Sequence, residues 1–188
     1  MKLYESETKF ANNNLNHKEY RDSLDEMEVE LHNLADELVD VQTEYLTNNG
    51  YTLIDIDGIE ILASKSMSFQ ELHSSIQQMP SPDMKSDDSY ALNYLVSPED
   101  IQESRKSEIY MDIVEKRQDI IEEIYSLYNE FWNKEIKGRT ESKDESIVYL
   151  MAGLDKDINH DTLSQITGYD EYECINYTFN EEGIVIRK

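Results

Sequence analysis

Positive charge is what this 188-residue chain lacks most: 17 Lys and Arg stand against 41 Asp and Glu, a formal net charge of -24. A surface of that sign repels phosphate backbones and anionic lipid headgroups, which excludes direct nucleic-acid or membrane-surface binding by simple electrostatics and makes a basic partner the expectation. Cysteine is nearly missing as well. Cys174 is the only one, so no disulfide can close within the chain and a reducing compartment is the default. No stretch approaches the ~20 apolar residues of a membrane span, and the opening MKLYESETKF has no apolar segment of signal-peptide length. The expected protein is soluble and cytoplasmic. Ala and Gly are scarce while Ile, Asn, Lys and Tyr are common, the bias of an AT-rich gene and not that of a typical halophile.

Recognisable chemistry is also missing. Neither GxxxxGK[ST] nor GxGxxG occurs. His17, His32, His73 and His160 lie far apart, share no metal-ligand spacing with one another or with Cys174, and stand beside no nucleophile. In DKDINHD, Asp155, Asp157, Asn159 and Asp161 alternate as in the first half of a calcium loop. The sixth position is His160 where glycine is needed, and the twelfth is Ile166 where a bidentate Glu is needed. Asn159 or Asp161 is better placed to cap the following helix. The expectation is a chain that is not an enzyme and holds neither cofactor nor metal.

What is present begins with a seam. From Asn16 to Asn49, residues Tyr20, Leu24, Met27, Leu31, Leu34, Leu38, Val41 and Tyr45 recur at alternating spacings of four and three, an unbroken a/d pattern with acids between. Asn16 with Glu19 suits a helix start, and Asn48, Asn49 and Gly50 suit its end. Residues 1–15 are polar and Asn-rich and read as a loose arm. Beyond the helix, YTLIDIDGIEILA places Asp57-Gly58 between apolar runs, the signature of a two-residue primed turn. Pairing Ile56 with Ile59 puts Ile54, Ile56, Ile59 and Ile61 on a buried face, with Asp55 opposite Glu60 on the outer face beside Leu53 and Leu62. Residues 64–97 form a Ser/Pro loop around one short helix opened by Ser68 and Glu71, a capping box. Segment 77–89 reads as loop, and Tyr90, Leu92, Tyr94, Leu95 and Val96 as a short strand or packed extended piece.

Ser97, Pro98, Glu99 and Asp100 open a second helix, expected to run unbroken to Lys137 and to stop at Gly138. Its apolar stripe includes Ile113, Ile120, Leu127 and Phe131 and is wide enough for two neighbours. Arg117 interrupts it and is a candidate ion-pair partner for an acid of the first helix. The fold class is therefore α+β, mainly α. Two long antiparallel helices pack in coiled-coil fashion with a β-hairpin (51–63) between them, making a body over 16–138. A separate subdomain follows over 144–188: a helix around Ile147 to Met151 ended by Gly153, a second around Thr162 to Ile166 ended by Gly168, and a hairpin about Asn180 to Gly183.

That helix, helix, hairpin order resembles a winged helix-turn-helix. Asp170, Glu171 and Glu173 stand where phosphate contacts want Lys or Arg, so the resemblance implies a protein partner. In size, charge and absence of motifs the chain is similar to the nucleic-acid-mimicking inhibitors of restriction and CRISPR effectors carried by phages and plasmids. This implies an acidic inhibitor that occupies the basic groove of a DNA- or RNA-binding protein without binding nucleic acid itself. The residues expected to meet that partner are Asp22, Glu26, Glu30, Glu37 and Glu44 on the first helix and Glu108, Asp112, Glu115, Asp119 and Glu122 on the second. Two alternatives stand beside it: a coiled-coil adaptor, possible as a homodimer through the heptad seam, and an acidic winged-helix regulator from a high-salt organism.

Overall fold

A computed structural model describes residues 2–14, 17–56, 59–77 and 95–188. The elements are β1 (Lys2–Leu3), α1 (Glu5–Asn14), α2 (Lys18–Asn48), β2 (Tyr51–Ile56), β3 (Ile59–Ser64), α3 (Phe69–Gln77), α4 (Pro98–Ser104), α5 (Glu108–Phe131), a π-helical turn (Trp132–Ile136), α6 (Lys143–Leu154), α7 (His160–Thr167), α8 (Glu171–Cys174), β4 (Tyr177–Phe179) and β5 (Val185–Arg187). The protein is α+β and mainly α, with α2 and α5 packed together. Asn16, the Asp57-Gly58 turn, and the segment expected to be loop and strand over 78–94 lie outside the described residues. The chain divides into two compact units, residues 1–30 with 119–188 and residues 31–118.

The first unit is organised on α6. Ser146, Ile147, Val148, Leu150, Met151, Ala152, Gly153 and Leu154 are all buried, and a helix apolar on every side belongs inside a core. It starts at Ser142, whose side chain accepts from the Glu145 amide, with Asp144 and Glu145 answering the positive helix end. The expectation that Gly153 ends it fails. The helix continues to Leu154 and closes at Asp155, in the left-handed region at φ 56, a conformation Asp tolerates better than most residues. The carbonyls of Gly153 and Ala152 are satisfied instead by Arg21 of α2, through Nε at 3.0 Å and Nη2 at 2.7 Å.

The amino-terminal segment is no loose arm. Tyr4 and Ala11 join Val148, Leu150 and Met151 in one core, β1 pairs with β5, and the Tyr4 phenol donates to Asp144 at 2.8 Å. Polar composition hid this because only one face of α1 has to be apolar. The strands make an antiparallel sheet in the order β1-β5-β4, with Tyr177 opposite Arg187 and Phe179 opposite Val185. The turn between β4 and β5 falls where Asn180 and Gly183 place it, Asn180 Oδ1 accepting from the amides of Glu182 and Ile184. Asn159 caps α7 and Gly168, at φ 71, ends it. The long helices enter this unit through Leu24 and Phe131, both fully buried, and through Tyr20, which meets Phe131 edge-on at 5.2 Å. Residues 144–188 therefore share one core with the chain's first thirty residues and do not form the separate subdomain expected from the charged linker.

In the second unit β2 and β3 pair in the expected register, Ile56 with Ile59, Asp55 with Glu60 and Leu53 with Leu62. Burial is less simple than alternation suggests, since the hairpin is covered on both faces near its base. Leu62 and Tyr51 pack with Leu46, Val96 and Ile101. Ile61 and Ala63 pack with Leu95 and with Met67, Leu72 and Ile76 at and around α3. The Ser68 and Glu71 capping box forms. The second long helix is broken where the sequence suggested continuity: α4 ends at Ser104, whose hydroxyl turns back to the Ile101 carbonyl at 2.7 Å and accepts from Gln42. Ser107 then starts α5 by accepting from the Tyr110 amide. Two serines three apart supply a stop and a new cap inside a periodic apolar pattern.

Candidate functional site

The acidic residues singled out in the sequence are exposed in all ten cases: Asp22, Glu26, Glu30, Asp119 and Glu122 in the first unit, and Glu37, Glu44, Glu108, Asp112 and Glu115 in the second. Local geometry aligns them. On a helix of 3.6 residues per turn, within the first unit Asp22, Glu26 and Glu30 fall within about 80° of one another around the axis and Asp119 and Glu122 within about 60°, and within the second unit Glu37 and Glu44 fall within about 20° and Glu108, Asp112 and Glu115 within about 60°. Four-residue steps separate neighbours by about 6 Å along the axis. The apolar seam turns elsewhere, Leu24, Leu34 and Leu38 being buried.

The acids of α2 divide into two sets. Asp25 and Glu28, on the flank away from that stripe, both accept from Lys156 Nζ at 2.7 Å, and the Lys156 side chain is only 15% exposed. Burial works against its charged form, but the two carboxylates outweigh it and hold its pKa above the ordinary lysine value. These two acids fasten α2 into the first unit. Among the described residues of α2, Asp22 of the stripe has an ion pair, with Lys18 one turn before it. Among the described residues no Lys or Arg lies within salt-bridge distance of Glu26, Glu30, Glu37, Glu44, Glu108, Asp112, Glu115 or Asp119. For the acids of α2 the cause is legible in the chain itself, because from Asp22 to Ser64 there is not one Lys or Arg. The negative potential of the stripe is therefore left for solvent or a partner to answer.

Arg117, the suggested counter-charge for α2, does not play that part. It lies on the α5 seam at heptad spacing from Ile113 and Ile120, and its Nε is buried with no hydrogen-bond partner. No ion pair to an acid of α2 forms.

A second polar feature was not foreseen. Trp132, Lys137, Gly138, Thr140, Glu141, Ser142, Lys143, Ser146, Thr167 and Tyr169 line a cavity of about 380 Å³ in the first unit. The π-helical turn shapes one wall. Its Lys137 amide bonds the Trp132 carbonyl five residues back, and this wider winding leaves Phe131, Trp132 and Ile136 all buried. On the other side Lys143 bonds both oxygens of Glu173, at 2.8 and 2.9 Å, and sits 5.2 Å from the centre of the Tyr169 ring. The Glu173 carboxylate holds Lys143 above its usual pKa, and Lys143 in turn holds Glu173 below the usual carboxylate range. A π turn leaves no sequence signal that periodicity detects, which is why the residues around Trp132 read only as the end of a helix.

A third cluster holds the unit together. Asp144 accepts from the phenols of Tyr4 and Tyr177 and from Arg187 Nη1 at 3.1 Å. Burial, then the hydrogen bond to Asp144, pushes the Tyr177 phenol far above its ordinary pKa. Among the described residues no group of three His, Cys, Asp or Glu is arranged to hold a metal ion, and no helix is long and apolar enough to cross a membrane. Comparison with known proteins adds no relative: no family model, no curated protein and no solved structure matches this chain.

Proposed function

We propose that this chain is an acidic inhibitor protein that acts in the cytoplasm by occupying the nucleic-acid groove of a DNA- or RNA-binding protein, as phage and plasmid counter-defence proteins do to restriction or CRISPR effectors. The observation that carries the reading is the exposed stripe of α2, whose acids Glu26, Glu30, Glu37 and Glu44 have no base within salt-bridge distance among the described residues. Duplex DNA presents about one charge per ~1.7 Å of axis. Acids one turn apart on neighbouring helices approach such a density more closely than dispersed surface carboxylates do. A groove that binds phosphate is attracted to the stripe at long range, so association is fast and weakens as salt screens it. The adaptor alternative has less apolar surface to use, because Leu24, Leu34 and Leu38 of the seam are buried and Tyr20, Met27, Leu31, Val41 and Tyr45 are half-buried.

The test is competition. A labelled duplex is bound to a purified restriction or CRISPR effector, and anisotropy is followed as this protein is added at several salt concentrations. Displacement that weakens with salt and is lost in the Glu26→Lys, Glu30→Lys, Glu37→Lys triple variant, with helical spectrum retained, supports the proposal. Equal displacement by wild type and triple variant, or none from any effector tried, sinks it.

A further inference from the structure

The junction between α2 and β2 holds a peptide link that needs no enzyme to rearrange. Asn49-Gly50 is the only Asn-Gly pair in the chain, both residues are exposed, and Asn49 is the first residue outside α2. Gly50 has φ 102, and a Cβ built there would meet nothing within 4 Å. With no side chain on the following residue, the Gly50 nitrogen can approach the Asn49 carboxamide carbon unobstructed. One contact stands against this approach. Asn49 Nδ2 donates to the Tyr45 carbonyl at 2.7 Å and so draws the carboxamide back over the last turn, but the bond lies on the surface, where water replaces it at little cost. Helix ends of this kind open locally more readily than helix interiors. Asn33 and Asn48 are exposed as well, yet both lie within α2 and are followed by Leu34 and Asn49, which carry side chains.

We propose that Asn49 is a site of spontaneous deamidation, through which the chain gains a further negative charge and a weakened joint at the base of its hairpin. The Gly50 nitrogen gives its proton to hydroxide or a buffer base and attacks Asn49 Cγ. A five-membered succinimide closes as the side-chain nitrogen leaves as ammonia. Water then adds to either ring carbonyl: breaking the new N–Cγ bond gives aspartate on the ordinary backbone, and breaking the original peptide bond gives isoaspartate, with one more methylene in the main chain. The chain loses ammonia and takes up water, and no oxidant or cofactor enters. Aspartate places a carboxylate where Asn49 donated to Tyr45, at the negative end of a 31-residue helix, which the helix dipole disfavours. Isoaspartate also displaces Gly50, whose carbonyl accepts from the Lys65 amide at 2.8 Å at the base of the hairpin. Leu46 and Tyr51, on either side of the junction, are 1% and 6% exposed in one core, so neither end of the lengthened link moves without disturbing packed side chains. The site does not rest on the function proposed for the acidic stripe.

The test follows the whole folded chain in mildly acidic and mildly alkaline buffer. Samples are digested with trypsin, and the fragment 22–65, which holds Asn33, Asn48 and Asn49, is sequenced by mass spectrometry against a sample digested at time zero. Conversion of amide to acid changes the mass, whereas isomerisation at Asp57-Gly58 does not. Acid should accumulate at Asn49 severalfold faster than at Asn33 or Asn48, faster in the alkaline buffer, and as two separable forms of equal mass. Asn49→Gln should abolish the charge change seen by anion exchange, and the converted fraction should unfold at lower urea than the intact protein. Conversion no faster at Asn49 than at Asn33 or Asn48, or confined to chain unfolded in urea, overturns the site; a converted fraction with an unchanged midpoint overturns the weakened joint.

Discussion

Both units are rich in acid, yet they use it differently. In the first, beside exposed acids such as Glu26 and Glu30, several carboxylates are structural: Asp144 gathers Tyr4, Tyr177 and Arg187, Glu173 holds Lys143, and Asp25 and Glu28 hold Lys156. In the second, Asp100 is fixed between Tyr51 and Ser97 at the start of α4, but among the described residues Asp36, Glu37, Asp40 and Glu44 on α2 have no such base or phenol. One kind of carboxylate is a cross-link between elements distant in sequence, the other a charge displayed to solvent. The same residue type is thus indispensable in one place and replaceable in the other, and composition alone does not separate the two.

That contrast breaks first at Asp144. Asp144→Ala leaves two part-buried phenols and a guanidinium without their acceptor and should cost about 2–4 kcal/mol by urea denaturation, since each stranded group costs ~1–3 kcal/mol. A loss below ~0.5 kcal/mol would mean that the cluster is not what joins α6 to both chain ends. Arg117 should move the other way. Replacing a guanidinium whose Nε is buried and unpaired with a flexible apolar side chain of similar length, Arg117→Met, should stabilise by about 1 kcal/mol; a lower denaturation midpoint would show that the rest of the guanidinium contributes more than the orphaned nitrogen costs.

Alkali probes the first unit's phenols. Burial, then the Glu145 hydrogen bond, lifts Tyr149 to about 12, and Tyr177 is raised further. A folded-state pKa above the unfolded value of ~10 means that the phenol's contribution is complete below pH ~10 and is lost as pH rises through the folded value. Stability should therefore fall from pH ~10 towards 12, and Tyr177→Phe should flatten the fall. Of the 13 tyrosines, these two should resist ionisation in absorbance titration until the fold is lost; ionisation of all together near pH ~10 would contradict the burial. The smallest effect belongs to Glu37→Gln, within ~0.5 kcal/mol of wild type. A drop comparable to that of Asp144→Ala would erase the distinction between the two uses of charge.

Where local chemistry decides structure, the sequence was readable. The register of β2 with β3, the caps at Ser68, Ser97 and Asn159, the stop at Gly168 and the turn at Asn180 each follow from a few adjacent residues. The exposure of the acidic stripe followed from helical spacing alone. What was not readable depends on partners far along the chain. Gly153 looks like a helix end until Arg21 is known to satisfy its carbonyl. The polar α1 looks loose until α6 is there to receive Ala11. Leu62 looks solvent-facing until Val96 and Ile101 arrive from the other side. The break at Ser104 and Ser107 was local but lay under a continuous apolar period, which carried more weight in the reading.

The 43-residue span without Lys or Arg, from Asp22 to Ser64, also governs how the protein can be observed. Trypsin cuts after basic residues, so nearly all of α2 together with the hairpin is released as one large fragment beginning after Arg21 and ending at Lys65. Amine-reactive cross-linkers and labels find no side chain on the stripe. A partner seated there would leave a lysine-based footprint blank whether it bound or not. Carbodiimide coupling to carboxylates, with digestion by an enzyme that cuts after Glu or Asp, is the chemistry that registers its arrival, as protection of Glu26, Glu30, Glu37 and Glu44 while the exposed Glu181 and Glu182 between β4 and β5 stay fully reactive.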